Sequence, residues 1–120
     1  MSHYRKKIVM AKTNAALMSG VPELLILRLL SREDMYCYQL VRAIRVVSRE
    51  ALDLAEGVVY PVLHGLEQRG LLKAKEKMFD GRNRIYYAVT AKGKKRLQDL
   101  NSDWQRIQCG IGNVMGVHHG

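Results

Sequence analysis

Asp80-Gly81 stands between two runs of alternating side chains and is the strongest local constraint on this fold. Upstream, Leu72, Ala74, Glu76 and Met78 alternate with Lys73, Lys75, Lys77 and Phe79; downstream, Ile85, Tyr87 and Val89 alternate with Arg84, Tyr86 and Ala88. Asp-Gly readily adopts the two positive φ values of a two-residue hairpin turn, so residues 72–89 predict a β-hairpin. Residues 73–96, from the hairpin into the segment after it, carry nine basic side chains against two acids.

Three amphipathic segments precede the hairpin. Pro22 suits a first helical turn, and Leu24, Leu27 and Leu30, backed by Leu25, Ile26 and Leu29, form the stripe expected of the most buried helix. A polar turn at residues 32–34 leads into a second helix with Leu40, Val41, Ile44 and Val47 inward and Gln39, Arg42, Arg45 and Arg49 outward. In the third, Val59, Val62, Leu63 and Leu66 face the core, leaving Gly57, Tyr60, Pro61, His64 and Gln68 on the remaining arc. Pro61 is expected near the helix start, where backbone N–H groups lack intrahelical partners, and Gly70 is expected to stop the helix.

Further helices are expected at both ends. Ile8, Ala11, Ala15 and Met18 recur at helical spacing behind a basic arm, residues 1–12 carrying four basic side chains and no acid. Thr90 can cap a last helix whose Leu97, Leu100, Trp104, Ile107, Ile111 and Val114 form a heptad seam, with Gly110, Gly112 and Gly116 expected to fray its end. The fold class is mainly α with a small β-hairpin. Residues 21–90 read as a winged helix-turn-helix, residues 1–20 as arm and N-terminal dimerisation helix, and residues 91–120 as C-terminal dimerisation helix and tail. The 120 residues accommodate one such domain.

The net charge of +9 is clustered, as attachment to phosphates requires. Cys37 and Cys109 follow no metal-ligand spacing, so a reduced intracellular protein is the simplest account, with an isolated disulfide left open. The longest apolar cluster, residues 24–30, is broken by Arg28, and no cleavage signal comes after the basic arm. A cytoplasmic chain without a membrane span is expected.

This plan predicts double-stranded DNA as the partner. The third helix enters the major groove and the wing carries cations such as Lys73 and Lys75 to flanking phosphates. Tyr60 and His64, one turn apart beside Pro61, would reach base edges or phosphates, and Gly57 would let the helix start approach the DNA backbone.

The runs "MYCYQLVRAI", "EGVVYPVLHGLEQRGLL" and "GRNRIYYAVTAKGKKRL" resemble, in order and spacing, the PadR family of bacterial transcriptional regulators. The resemblance covers about residues 23–97, and the short C-terminal part is similar to the family's compact subgroup. It implies a homodimeric repressor that binds a two-fold-related operator and is released by a small molecule. It assigns DNA reading to Gly57 and Tyr60 and the wing to Arg82 and Arg84. Three residues depart from the family pattern: Cys37 replaces a usual glycine, Val58 a common threonine at the DNA surface, and Ala55 a common serine cap. The last exchange typically costs about 1 kcal/mol unless Asp53 substitutes.

Nothing in a small winged core is expected to bury the heptad seam, so a second copy of the chain is its expected partner. Ile8, Met18, Leu97, Leu100, Trp104, Ile107 and Ile111 are the interface residues. The resemblance further implies that Trp104 stacks on a flat hydrophobic, aromatic or cationic effector, with Ala11, Ala15, Leu100 and Ile107 around it.

Other functions fit less well. No nucleophile, base and orienting group stand together, no phosphate loop is present, and no cofactor or metal is implied; His118 and His119 at the tail read as solvated. An architectural or non-specific nucleic-acid binder fits the charge but not the groove-sized helix, and a MarR-like regulator would carry more helix around the wing. A redox switch at Cys37 would require a helix dipole that lowers its thiol pKa.

Overall fold

The computed structural model describes residues 20–117. The expected stripe Ile8, Ala11, Ala15 and Met18, the basic arm, and His118 and His119 lie outside the described residues. Within them the order is α1 (Val21–Leu30), β1 (Met35–Tyr36), α2 (Cys37–Val47), α3 (Glu56–Gln68), β2 (Leu72–Phe79), β3 (Arg82–Val89) and α4 (Ala91–Met115). The three strands form one antiparallel sheet in the order β1-β3-β2.

The core forms where the three helical stripes meet the inner face of the sheet. Ile26 and Leu27 from α1, Leu40 from α2, and Val59, Leu63 and Leu66 from α3 are fully or almost fully buried, with Leu71, Leu72 and Tyr87 closing the sheet side. The α1 stripe is Ile26, Leu27 and Leu30, and Leu24 is only half-buried. Helix α1 is packed by α2, α3, α4 and β3 together, so its buried arc is broader and turned from the expected one. Val47, expected inward, instead ends α2 beyond the core and is 63% exposed.

Local chemistry sets the boundaries. Gly70 (φ 77) stops α3: its N–H returns to the Glu67 carbonyl at 2.9 Å and that of Leu71 to Leu66 at 2.9 Å, a Schellman closure. Asp80 (φ 54) and Gly81 (φ 78) form the two-residue hairpin turn, and Phe79 pairs with Arg82 across it. Thr90 caps α4, its hydroxyl oxygen accepting the Gly93 N–H at 3.0 Å while the hydroxyl donates to the Gly70 carbonyl at 2.8 Å.

Pro61 is the sixth residue of α3, deeper than expected. Having no N–H, it leaves the Gly57 carbonyl without its i+4 donor. Residues 35–36, expected to lead directly into a helix, form the short strand β1 opposite Tyr87 and Tyr86. Helix α4 does not fray at its glycines; it runs to Met115 and ends at Gly116 (φ 76), with the Val117 N–H returning to Gly112 at 2.8 Å.

Glu23 ties α1 to the later elements. Its carboxylate accepts from Arg96 of α4 at 2.9 Å and from Arg69 at the end of α3 at 3.3 Å. Burial raises the Glu23 pKa, but the two guanidinium groups outweigh it and hold the carboxyl below its usual value.

Candidate nucleic-acid interface

Helix α3 begins at an uncapped turn. Ala55 is the N-cap in extended conformation and no side chain, Asp53 included, caps it. The N–H groups of Val58 and Val59 both reach the Ala55 carbonyl, at 2.9 and 3.1 Å, so those of Glu56 and Gly57 have no intrahelical acceptor. Alanine at this position, with no side-chain acceptor, therefore leaves the first turn open.

Gly57, Val58, Tyr60, Pro61 and His64 are all exposed, while Val59, Leu63 and Leu66 on the opposite arc are buried. One α3 face is thus committed to the core and the other to solvent. Tyr60 and His64 lie one turn apart with ring centroids 4.4 Å from each other, forming a single aromatic ridge. A phenol and an imidazole there offer hydrogen-bond donors and acceptors within reach of a groove.

The hairpin places its cations by register. Lys73, Lys75 and Lys77 face Ala88, Tyr86 and Arg84 across the ladder, so all three lysines share one sheet face with Arg82 and Arg84. Lys73, Lys75 and Arg82 are exposed. Arg84 is half-buried, its guanidinium carbon 4.4 Å from the Tyr36 ring centroid, with a buried Nε that has no hydrogen-bond partner among the described residues. The opposite face carries Leu72, Ala74 and Tyr87 over the helices, and Ile85, farther out, is 45% exposed because the wing projects past the core there.

Between the starts of α2 and α3 and strand β3 lies a cleft of about 280 Å³, lined by Tyr36, Cys37, Tyr38, Glu56, Tyr60, Arg84, Ile85 and Tyr87. It joins the α3 ridge to the wing. Burial, with smaller contributions from Glu67, Tyr60 and Cys37, raises the Tyr87 pKa, so its hydroxyl stays protonated and able to donate. The Cys37 thiol is also raised, first by burial and then by the Glu56 carboxylate. Cys37 does begin α2, but both contributions act in the direction opposite to the lowering that a redox switch there would require, and the protonated thiol is the less reactive form.

A surface-exposed helix beside a basic wing is a plan shared with known proteins. The profile of the Transcriptional regulator PadR-like family matches residues 26–99. This chain belongs to the PadR-like family.

A PadR-like transcriptional regulator from Bacillus cereus shares the fold with a TM-score of 0.75 at 26% identity, over 86% of this chain and 99% of that one. A PadR family transcription regulator from Clostridium difficile has a TM-score of 0.68 at 27% identity, over 78% and 96%. Transcriptional regulator YqjI of Escherichia coli (strain K12) is 30% identical over 89 residues, 74% of this chain but 42% of YqjI. The PadR-like chain therefore spans less than half of that relative. PadR-like proteins are DNA-binding transcriptional regulators and not enzymes, and the winged helix-turn-helix seen here is their fold.

The other expected sites of this PadR-like protein fall on α4 and the N-terminal segment. Leu97 and Leu100, expected in a seam between two protomers, pack against this chain's own core because α4 lies along α1 at that point. Beyond them the seam leaves the domain: Trp104, Ile107, Ile111 and Val114 are exposed, Val114 at 87%. Ala11, Ala15, Ile8 and Met18 lie outside the described residues, so only Leu100, Trp104 and Ile107 of the expected effector set are placed, on one stripe of α4.

Sequence periodicity gives no sign of Tyr36, Tyr38 or Gly93. Tyr36 belongs to a strand too short to show alternation. Tyr38, 52% exposed, precedes the helical stripe it would have interrupted. Gly93 has no positive φ, and its role lies in a close approach between distant segments.

Proposed function

We propose that this PadR-like chain is a homodimeric repressor that recognises a two-fold-related DNA operator and releases it when a small hydrophobic, aromatic or cationic effector binds at the seam between protomers. The exposed Tyr60–His64 ridge beside a cation-bearing wing supports the DNA part of the reading most directly. Gly57, Val58, Tyr60, Pro61 and His64 take the major groove, and Lys73, Lys75, Arg82 and Arg84 take the flanking phosphates.

The dimer is supported by α4, where Trp104, Ile107, Ile111 and Val114 form an apolar stripe with solvent on it. A second α4, with Ile8 and Met18 of the N-terminal segment, covers that stripe in this reading. Trp104, 40% exposed, is then the aromatic surface on which an effector stacks beside Leu100, Ile107, Ala11 and Ala15. A ligand that reorients two α4 helices reorients two reading heads, because Glu23 clamps α4 to α1 and α3.

Enrichment of binding sites from a randomised duplex pool tests the DNA reading. A motif with two-fold-related halves supports it; recovery without any motif favours an architectural binder. Titrating Trp104 fluorescence with planar aromatic and cationic compounds, free and on the selected duplex, tests the effector. Quenching coupled to DNA release supports induction, and specific DNA binding with no compound perturbing Trp104 makes that residue packing only.

A further inference from the structure

The wing's cations are not free of the helical domain. Lys77 and Arg84 are direct cross-strand partners, a like-charge pairing that is unfavourable when nothing intervenes. Here two rings intervene. The Arg84 guanidinium lies 4.4 Å from the centroid of Tyr36, Tyr36 meets Tyr86 edge-on at 5.3 Å, and the Lys77 ammonium lies 4.8 Å from the centroid of Tyr86. The order Arg84, Tyr36, Tyr86, Lys77 sandwiches two aromatic rings between two cations. The Asp34 carboxylate, 3.8 Å from Lys77, offsets part of the remaining repulsion.

Tyr36 is the member of this stack that does not belong to the hairpin. It pairs with Tyr86 through β1, and it is also the N-cap residue of α2, its N–H donating to the Gln39 side chain at 3.1 Å. One residue therefore links the helix-turn-helix framework to the wing. The buried Arg84 Nε is consistent with a guanidinium pressed against that framework.

We infer that Tyr36 is a positioning residue for DNA binding: its ring fixes the Arg84 guanidinium, and with it the wing, at a set place relative to α3. This rests on the DNA reading above, with Arg84 as a phosphate-contacting group. A cation held in advance loses less side-chain freedom on binding than a mobile one, and its phosphate register is tied to the reading helix.

The test uses the full-length protein and a fluorescein-labelled duplex selected from the randomised pool. Tyr36→Leu should weaken binding roughly tenfold and lower the slope of log affinity against log salt by about one, as Arg84→Gln does. Tyr36→Phe, which keeps the ring, should restore both. The double variant Tyr36→Leu/Arg84→Gln should be no weaker than Arg84→Gln alone, since the tyrosine acts through the arginine. Full additivity, or wild-type affinity and salt slope in Tyr36→Leu, overturns the inference.

A measurement on the unsubstituted protein guards against a Tyr36→Leu chain that fails to fold. The Arg84 side-chain resonances should be ring-shifted and its Nε–H slow to exchange with solvent; random-coil shifts and fast exchange overturn the inference without any variant. If the unsubstituted protein selects no duplex, the DNA reading fails instead, and the NMR result still decides whether the stack exists.

Discussion

Replacing Gly93 by alanine should destabilise the protein although it improves an α-helical residue. Glycine in a helix interior costs roughly 1 kcal/mol relative to alanine, so propensity alone favours the change. A Cβ at position 93, however, would collide with the Leu71 carbonyl oxygen and come within 2.9 Å of Val89 Cγ1. That carbonyl is backbone and already accepts the Thr90 N–H at 3.1 Å, so it cannot yield cheaply. Moving the first turn of α4 away also strains the Gly93 N–H to Thr90 cap and the Thr90 hydroxyl to Gly70 bond. Overpacking costs typically about 1–3 kcal/mol and each of the two weakened hydrogen bonds about 0.5–1.5 kcal/mol, which leaves a net loss of about 1–5 kcal/mol after the propensity gain. Thermal unfolding followed by far-UV circular dichroism should show Tm lowered by roughly 5–25 °C. Gly65→Ala is the control: it lies inside α3, and beyond the adjoining backbone of its own helix no described atom comes within 4 Å of the added Cβ, so it should raise stability by about 0.5–1 kcal/mol. Equal or higher stability in Gly93→Ala would refute the close-approach mechanism.

Other perturbations address separate parts of the molecule. Glu23 has a lowered folded-state pKa, so the unfolded chain binds that proton more readily; its stabilisation is present above about pH 4.5 and is lost as pH falls through the lowered value. Urea unfolding of the wild type and Glu23→Gln should therefore differ most near neutral pH and converge as pH falls through the lowered Glu23 value. A difference that grows on acidification contradicts the ion pairs. Cys109 is exposed and Cys37 half-buried with a raised thiol pKa, so iodoacetamide at about pH 8 should label Cys109 first by peptide mapping, and faster labelling of Cys37 would restore the redox reading. Ile107→Glu places a charge in the exposed stripe of α4, and sedimentation should show a dimer converted to monomer with the helix content kept. An unchanged dimer would put the interface elsewhere.

The features legible in the sequence are those that local chemistry decides. Asp80-Gly81, Gly70 and Thr90 each act through their own backbone or a near neighbour, and each terminates or caps as its residue type dictates. The α3 stripe is legible because thirteen residues give several turns of periodicity. The burial of Leu97 and Leu100 is not, since a heptad pattern states which residues share a face and not what covers it. Val47 shows the same limit at the end of a helix. The Gly93 contact and the Arg84–Tyr36 stack join segments 22 and 48 positions apart, from residue 71 to 93 and from 36 to 84, and no window of sequence periodicity spans them. At the candidate site, the identities of Tyr60 and His64 and their shared face can be read in advance, whereas the coupling of the wing to β1 requires the structure.

The division of labour proposed for this chain is that α3 reads sequence and the wing supplies charge. Its most direct test is the affinity of the wild type, Tyr60→Ala and Lys75→Gln for a pool-selected duplex and for the same duplex with shuffled sequence, at one salt concentration. The wild type should prefer the selected duplex by at least about 10³-fold, Tyr60→Ala should lose most of this ratio, and Lys75→Gln should weaken both duplexes alike. A wild-type ratio near one, or a ratio that falls for Lys75→Gln and not for Tyr60→Ala, would contradict it.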